Sequence, residues 1–412
     1  MQRSPFVSKA TSSLVTINFL ESLIIRTLYV VIPLYILYIT GNAMDLAFAK
    51  AIEFIPNIIL TVIIGSYVDK AKDKCKVIIV ASALQTASLI LLCASIYYET
   101  DVIAIYTFLF SFTIFTYAFF NTHIVLTKML VDSSNIIEVN SKYSLFTTLS
   151  SLIAPLLTSF MVSKGSYTNV AILCVCFSVM MTAYCYVYLG KVKALTQKKE
   201  VSNNQNIGIL YNIRNSFRIV YENKMLLHLT VFTMIINAYE VMAFTNHFTY
   251  LSETLRFNES EISILLFFFS VGSILAAKYG ELIFKNIYLP TAIILTVITS
   301  GLCYALLPQV TNYYTVAVIL SVEGFMTCIN GILIWSHRQS VVSFEVIGGV
   351  AAITSSIYKL LMPFSLILGG TIAVNFDNSF VYYFSCSIAV ISSIAYLSFF
   401  SRTKKSDYVK FN

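Results

Sequence analysis

Long, almost uninterrupted apolar segments most constrain what this chain can fold into. A bilayer core about 30 Å thick is crossed by roughly 20 mostly apolar helical residues, and segments of that length recur along the 412 residues. Hydrophobic residues make up 58% of the chain and charged residues only 11%, whereas about a quarter of a soluble domain is charged. The sequence therefore predicts an all-α integral membrane protein. We predict twelve transmembrane helices, near 13–39, 46–68, 77–98, 102–127, 143–163, 168–190, 226–250, 261–284, 289–307, 313–335, 346–373 and 379–400.

The basic residues predict the orientation of these helices. If the N-terminus is inside, the inner segments hold most of the 27 Lys and Arg residues, and the outer loops hold only Lys164 and Arg256. Cytoplasmic loops of membrane proteins carry such an excess of positive charge. Both the N- and C-termini are therefore predicted to be cytoplasmic. The net charge of +7 indicates topology and attraction to anionic membrane lipids, with no nucleic-acid binding required.

A polar connector divides the chain into two parts. Residues 1–190 and 226–400 each hold six predicted helices, residues 191–225 form a cytoplasmic linker, and residues 401–412 form a cytoplasmic tail. The second part of the linker is predicted to be an amphipathic helix on the inner membrane surface, because apolar and basic side chains recur on opposite sides at helical spacing. These residues are Ile209, Ile213, Phe217 and Val220 on the apolar side, and Arg214 and Arg218 on the basic side.

The two parts also show internal similarity. The segment TLSSLIAPLLTSF can be aligned with SIYKLLMPFSLIL, which brings Pro155 onto Pro363 and Leu152 onto Leu360. Six helices, a long linker and six more helices are typical of secondary transporters built from repeats. We therefore predict two six-helix, pseudo-symmetric halves, with a substrate site near the middle of the membrane and between the halves.

Ionisable residues well inside the predicted spans are the first candidates for function. They are Glu21 and Arg26 in the first span, Glu240 in the seventh, Glu323 in the tenth and Lys359 in the eleventh. A charge at a helix centre costs on the order of 2.5–3.5 kcal/mol, so each residue is expected to face a cavity or a partner. Burial favours the neutral form of a carboxylic acid, and a nearby cation favours the charged form. The three glutamates are therefore proton-coupling candidates with the two cations as charge partners, although static ion pairs remain the alternative.

Aromatic side chains are abundant, with 31 Phe and 27 Tyr. Several lie on the helices that carry the buried charges and are candidates for a substrate cavity: Tyr29, Tyr35, Phe232, Tyr239, Phe244 and Tyr358. An aromatic cavity with a few acids suits amphiphilic or cationic organic molecules, while ordinary packing is the alternative for each residue. His247 is a weaker candidate for a proton relay. No metal site is expected, since Cys174 and Cys176 lie on nearly opposite sides of a helix.

The loop between the second and third predicted helices carries the most specific motif. It reads GSYVDKAKDKCKV and resembles the signature loop of the major facilitator superfamily, a glycine followed by an Asp–Arg/Lys pair and a basic cluster. The matching residues are Gly65, Asp69, Lys70, Lys74 and Lys76. The resemblance implies that this loop controls a conformational switch, with Asp69 beside the start of the eleventh helix.

Other short motifs narrow the resemblance within the superfamily. They are Pro33 with Thr40-Gly41-Asn42-Ala43, Phe54-Ile55-Pro56, Asn140-Ser141, Ala154-Pro155 and Arg338-Gln339. Together they resemble the macrolide-efflux type of drug:proton antiporter, a bacterial branch that also includes siderophore exporters.

This resemblance implies a proton-coupled exporter of a small amphiphilic organic molecule, such as a drug, an antibiotic, a siderophore or a peptide antibiotic, by alternating access. It implies a multi-pass monomer in the bacterial cytoplasmic membrane. The expected partners are substrate, protons and lipids, with no cofactor, metal or nucleic acid. A proton-coupled importer of a small metabolite and a polytopic membrane enzyme remain alternatives. An enzyme is not expected, because no nucleophile or metal cluster is recognisable, and no phosphate-binding loop indicates an ATP-driven pump.

Overall fold

The computed structural model describes residues 5–59, 71, 73–130, 136–163, 166–189, 209–284, 286–342 and 347–400. Almost all of these residues are helical. The helices are α1 (Pro5–Thr40), α2 (Ala43–Ile59), α3 (Lys74–Tyr97), α4 (Val102–Leu130), α5 (Ile136–Val162), α6 (Tyr167–Tyr184), α7 (Ile209–Glu222), α8 (Lys224–Thr249), α9 (Glu259–Phe284), α10 (Leu289–Leu306), α11 (Tyr313–Val341), α12 (Ile347–Lys359), α13 (Met362–Asn375) and α14 (Asn378–Phe400). Short π or 3₁₀ turns extend three of them, at Cys185–Leu189, Tyr250–Thr254 and Leu307–Gln309.

Eleven helical segments in the described part of the chain are long and apolar enough to cross a membrane. The prediction of an all-α, multi-span membrane protein is therefore confirmed. The second predicted span, near 46–68, is described only as far as α2 reaches, because residues 60–70 lie outside the described residues. A twelfth span and the cytoplasmic location of both termini stay predictions.

The eleventh predicted span is two helices and not one. Helix α12 ends at Lys359, and α13 begins at Met362. Pro363 is the second residue of α13, and a proline has no N–H group to donate to the carbonyl four residues earlier and clashes with that turn. That carbonyl belongs to Lys359, the last residue of α12. The carbonyl of the preceding residue, Tyr358, accepts a hydrogen bond from Asn237 Nδ2 at 3.2 Å. Pro155, its counterpart in the internal alignment, lies inside the unbroken helix α5.

Contacts divide the chain into two compact units. The first contains residues 1–35 and 52–206, and the second contains residues 36–51 and 207–412. In the first unit, α3 packs against α4 and α6; in the second, α8 packs against α13 and α14, and α9 packs against α11. Ala43 and Ala47 of α2, which belong to the second unit, line a small pocket with residues of α8 and α13.

The amphipathic part of the linker forms α7, but its apolar side chains do not all share one environment. Val220 is buried in a cluster with Leu226, Val342 and Val350, whereas Phe217 is 52% exposed. The helix therefore packs through Val220 onto other helices of the second unit. Arg214 and Arg218 are exposed, as the sequence pattern predicts. The side chains of residues 209–213 lie outside the described part of the structure.

Two glycines allow α9 and α11 to approach very closely. A Cβ atom on Gly272 would lie 1.8 Å from the backbone oxygen of Ser321, and one on Gly324 would lie 2.0 Å from the backbone oxygen of Phe269. Ser273 Oγ donates to the Gly324 carbonyl at 3.0 Å, which joins the two helices. Small residues at such crossings let helix backbones meet in a membrane. This crossing positions the part of α11 that carries Glu323.

Candidate functional site

Glu323 lies in a buried hydrogen-bonded network within the second unit. Both Glu323 carboxylate oxygens are 3.1 Å from His247 Nε2, and His247 Nδ1 is 2.7 Å from the Tyr382 hydroxyl oxygen. All three residues are at most 1% exposed. They come from α11, α8 and α14, so that three separate helices hold one carboxyl group, one imidazole and one phenol in a row.

Two proton arrangements fit these distances. In one, His247 Nε2–H donates to a Glu323 carboxylate, and the Tyr382 hydroxyl donates to Nδ1. In the other, a protonated Glu323 donates to Nε2, and Nδ1–H donates to the Tyr382 oxygen. The second arrangement holds one proton more than the first, on Glu323, while Tyr382 stays a neutral phenol, and the imidazole adapts by changing which nitrogen carries its own proton. The network can therefore hold a proton at Glu323 or release it without moving a heavy atom.

Further polar groups surround this network. Glu240, also on α8, lies close enough to Glu323 for their charges to interact, and its buried Oε1 has no hydrogen-bond partner among the described residues. Tyr304 stacks on Tyr382 at 6.3 Å between ring centroids. A proton on one carboxyl group relieves the repulsion between two neighbouring carboxylates. The two glutamates therefore form a pair in which protonation of one affects the other.

Polar contacts continue from the network towards the end of α8. Asn246 interacts with the Tyr382 hydroxyl, and Asn246 Nδ2 donates to the backbone oxygen of Asn378 at 2.8 Å. Asn378 Nδ2 in turn donates to Glu253 Oε2 at 3.1 Å. Glu253 is partly exposed and immediately precedes the loop that leads to α9. Sequence orientation predicts that this loop is external.

The first unit holds a further buried acid, Glu21, whose hydrogen-bond partner is of a different kind. Gln85 Nε2, on α3, donates to both carboxylate oxygens of Glu21 at 3.0 Å and lies 3.0 Å from Thr116 Oγ1 on α4. Glu21 is 4% exposed. Its hydrogen-bond donor is thus a neutral amide, and not the cation Arg26 five residues along the same helix.

The two predicted charge partners lie elsewhere. Arg26 is exposed, and its electrostatic neighbour is Tyr29. Lys359 is the last residue of α12 and is partly exposed. Within the part of the chain that the structure describes, no carboxylate forms an ion pair with either side chain. Among the described residues of its own unit, neither Arg26 nor Lys359 is paired with a glutamate, and their role as charge partners stays a prediction.

The candidate aromatic residues lie in three kinds of surroundings. Tyr35 donates to the Ile96 carbonyl at 3.3 Å, and Phe232 stacks on Tyr396 at 4.1 Å between centroids, so both act in helix packing. Others lie near the buried network: Phe244 packs edge-on against His247, and Tyr239 packs edge-on against Tyr304. Tyr358 is buried beside the break between α12 and α13, and Tyr29 is partly exposed beside Arg26.

Most of the signature loop lies outside the described residues. Gly65, Asp69 and Lys70 are among residues 60–70, so their predicted role in the conformational switch stays a prediction. Lys74 Nζ donates to the Ala71 carbonyl at 2.7 Å, and Lys76 is exposed. The carboxylate of Asp73 accepts a hydrogen bond from the Lys76 backbone N–H at 2.9 Å, which caps the start of α3.

Sequence reasoning did not identify Gln85 and Tyr382 and gave His247 little weight. Gln85 and His247 lie far along the chain from the acids that they contact, and Tyr382 lies far from His247, so no local pattern links the members of a pair. The sequence did contain a sign of Gln85 and His247, because both are polar residues inside otherwise apolar helices. Such residues usually face the interior of a helix bundle.

The Glu21–Gln85 contact leads to a stability prediction. Gln85→Leu is expected to lower the free energy of unfolding by about 1–3 kcal/mol, because it leaves a buried acceptor without its donor. The double variant Glu21→Leu/Gln85→Leu removes both partners and should recover much of that loss. Unfolding in detergent micelles measures both effects. If the double variant loses as much as the two single variants added together, the contact contributes nothing to stability.

The fold and these buried groups define a polytopic helical membrane protein of the transporter type, and comparison with known families agrees. The sequence profile of the Major Facilitator Superfamily matches residues 14–365. The chain belongs to the major facilitator superfamily. It is therefore a membrane transporter and not an enzyme.

Solved structures of transporters share the fold. A crystal structure of a mutant form of the nucleoside transporter NupG has a TM-score of 0.76 at 13% sequence identity. The alignment covers 95% of this chain and 100% of the NupG chain. A bacterial homologue of the iron transporter ferroportin in an inward-facing state has a TM-score of 0.68 at 12% identity, covering 97% and 100%. A bacterial metal transporter has a TM-score of 0.67 at 11% identity, covering 98% and 100%. No curated protein sequence matches the chain.

Proposed function

We propose that this transporter is a proton-coupled exporter of a small amphiphilic organic molecule that works by alternating access. The observation that carries the proposal is the buried row of Glu323, His247 and Tyr382. Ionisable groups inside membrane spans are costly, and transporters retain them on substrate and proton pathways. A row that can change its proton arrangement without moving heavy atoms suits proton transfer.

The two glutamates of the second unit have complementary roles in this proposal. Glu323 exchanges its proton through His247, from which polar groups extend to Glu253. Glu240 has a buried oxygen without a hydrogen-bond partner among the described residues, and it senses the charge of Glu323. Glu240 therefore links proton binding at Glu323 to the conformation and the bound substrate. Glu21 is the corresponding acid of the first unit.

The resemblance to the macrolide-efflux type supports export and an amphiphilic substrate, such as a drug, an antibiotic, a siderophore or a peptide antibiotic. It also supports a location in the bacterial cytoplasmic membrane and a monomeric state. The solved transporters with this fold are named for nucleosides, metal and iron, which supports a small solute but not one substrate class. Proton-coupled import of a small metabolite is the alternative that the same buried acids would serve.

Proton movement in proteoliposomes tests the proposal. A pH-sensitive dye inside the vesicles would report protons while macrolides, dyes, siderophores and peptide antibiotics are added one at a time. Exchange of protons for substrate in opposite directions is the expected result. Movement of both in the same direction would indicate an importer, and substrate transport without proton movement would rule out proton coupling.

Replacing Glu240 tests its linking role. Glu240→Gln keeps the size of the side chain but removes its titration, so proton-driven accumulation should be lost while downhill substrate exchange continues. Glu222→Gln, at an exposed position at the end of α7, is the matched control and should leave both activities unchanged. If Glu240→Gln still accumulates substrate against its gradient, coupling does not depend on Glu240.

A further inference from the structure

We propose that a groove on the surface of the first unit binds a phospholipid whose headgroup ends in an ammonium, as in phosphatidylethanolamine. One acyl chain lies in the groove between α3 and α6, and the ammonium lies against Tyr97, Tyr98 and Glu99. Both helices belong to the same compact unit, and the site does not depend on which molecule is transported.

Two helix faces form the groove, which has a volume of about 270 Å³. Four side chains at helical spacing on α3 form one wall: Ile90, Cys93, Ala94 and Tyr97. Three side chains at the same spacing on α6 form the other wall: Thr168, Ile172 and Val175. Residues three, four and seven positions apart lie on one face of a helix. At 1.5 Å per residue, each wall is about 10 Å long.

The groove opens towards lipid. Its walls belong to the membrane spans Lys74–Tyr97 and Tyr167–Tyr188, and Ile90 and Ile172 are each 47% exposed. Exposed apolar side chains within a span contact lipid tails, which are as apolar as they are. Since a water molecule occupies about 30 Å³ of liquid volume, the groove has room for about nine groups of that size. A segment of one acyl chain fills such a space.

The polar groups of the groove all lie at one end. Tyr97, Tyr98 and Thr168 line it where α3 ends and α6 begins, an end that sequence orientation predicts to be external. Tyr97 and Tyr98 are 64% and 74% exposed, and their rings pack edge-on at 5.0 Å between centroids. Tyrosine is enriched where a membrane meets water. The groove is therefore apolar along its length and polar at its mouth, which matches a lipid with its headgroup at the surface.

The length of the groove also favours a lipid of one leaflet. The groove extends about 10 Å from its polar end, which is less than half of a hydrocarbon core about 30 Å thick. An acyl chain that enters from the predicted external surface therefore stays within the outer leaflet.

Two exposed acids give the polar end a negative charge. Glu99 and Asp101 follow Tyr98 closely in the chain, and neither forms an ion pair with another described residue. An ammonium is attracted both to carboxylates and to the faces of tyrosine rings. Phosphatidylglycerol has no cation in its headgroup and gains neither contact. Charge complementarity therefore favours the ammonium lipid.

The backbone of Glu99 indicates that its side chain has a role of its own. Its φ is 50°, in the left-handed region where glycine is favoured at the end of a helix. The next residue, Thr100, closes the end of α3 by donating its N–H to the Ser95 carbonyl at 3.0 Å. Any side chain costs free energy at such a position, so the end of the helix itself does not call for glutamate. Attraction of an ammonium is a role that requires the carboxylate.

Alkylation of Cys93, in the wall of the groove, tests the site in detergent micelles. The full-length protein reacts with N-ethylmaleimide in the presence of phosphatidylethanolamine, or of phosphatidylglycerol with the same acyl chains, and peptide mass spectrometry gives the rate at each cysteine. Phosphatidylethanolamine should slow alkylation of Cys93 about fivefold more, a ratio that exposed cation–π and ion-pair contacts can supply. Cys386, which is also partly exposed but lies on α14 of the second unit, should react equally with either lipid. Equal protection of Cys93 by the two lipids, or no protection by either, would overturn the proposal.

Glu99→Gly separates lipid binding from folding. The midpoint of thermal unfolding should stay the same or rise, since glycine suits the left-handed backbone, while the preference of the Cys93 site for phosphatidylethanolamine should disappear. Asp377→Asn, at an exposed acid between α13 and α14, is the matched control and should leave the preference unchanged. A Glu99→Gly variant that keeps the preference would show that the carboxylate does not hold the ammonium, and the proposal fails.

Ala94→Leu tests the acyl-chain part of the site. The larger side chain occupies the middle of the groove, so native mass spectrometry should detect at least about fivefold less bound phosphatidylethanolamine than on the unchanged protein. Undiminished binding would place the lipid elsewhere on the surface and contradict the proposal.

A transported molecule is the rival occupant of the groove. If an amphiphile that drives proton movement in the proteoliposome assay protects Cys93 and phosphatidylethanolamine does not, the groove belongs to the transport pathway and the lipid proposal is wrong. Protection by phosphatidylethanolamine requires no proton gradient and no substrate. The lipid site therefore stands or falls independently of the proposed function.

Discussion

Glu323→Gln is expected to abolish proton-driven substrate accumulation, with transport falling to the level of protein-free liposomes. Glutamine keeps a hydrogen bond to His247 but cannot release a proton, so the row of Glu323, His247 and Tyr382 loses the carboxyl group that exchanges a proton in the proposed mechanism. Downhill exchange of substrate should continue, because that process does not require a proton to be released. Proteoliposomes with and without an imposed pH gradient measure the two activities separately.

Two further variants test whether His247 acts through Glu323. His247→Gln removes the imidazole that lies between the carboxyl group and the phenol, and it should also abolish proton-driven accumulation. Tyr382→Phe removes only the hydroxyl and should slow accumulation less. Glu222→Gln is again the exposed control. Full proton-driven accumulation by Glu323→Gln would show that the proton is carried elsewhere, with Glu240 and Glu21 the remaining acids.

Gly272→Ala is expected to lower the free energy of unfolding by at least about 2 kcal/mol, because the new methyl group would collide with the backbone of α11. The colliding atom is the Ser321 carbonyl oxygen, 1.8 Å from the added Cβ. A backbone atom cannot move aside as a flexible side chain can, so the helices must separate. Gly324→Ala meets the Phe269 carbonyl oxygen at 2.0 Å and should have a similar effect.

Helix α11 itself provides the matched control for this prediction. A Cβ on Gly331 meets nothing within 4 Å, so Gly331→Ala should be neutral or slightly stabilising, since alanine favours a helix over glycine by about 1 kcal/mol. Thermal unfolding in detergent micelles compares the three variants. Equal stability of Gly272→Ala and Gly331→Ala would show that the crossing of α9 and α11 is looser than the structure has it.

Gly324→Ala should also reduce transport, measured per molecule of the variant that folds. The residue is adjacent to Glu323, and its carbonyl accepts the hydrogen bond from Ser273. Separation of α9 and α11 would therefore move the carboxyl group away from His247. In the proposed mechanism, stability and proton coupling both depend on the same close helix crossing.

Helices and spans were predictable from sequence because their causes are local. A backbone in lipid must satisfy its own hydrogen bonds, so apolar segments of sufficient length become helices. The eleven spans follow from this rule. The break before Pro363 was foreseeable from the missing N–H group, but the long apolar run around it favoured one helix. The structure places the break beside Tyr358, whose carbonyl accepts a hydrogen bond from Asn237 of another helix.

The acids of the site were also visible in the sequence, whereas their partners were not. Glu21 and Glu323 are conspicuous because a charge in an apolar span is costly wherever it points. Their partners Gln85 and His247 are 64 and 76 residues away, and each meets its acid only through the rotation and depth at which two helices pack. The sequence by itself determined which segments are helical and which of them carry charges. Only the tertiary structure decided that Glu323 meets an imidazole, that Glu21 meets an amide and that Arg26 meets no described acid, because helix contacts depend on side chains distant in sequence that shape each packed surface together.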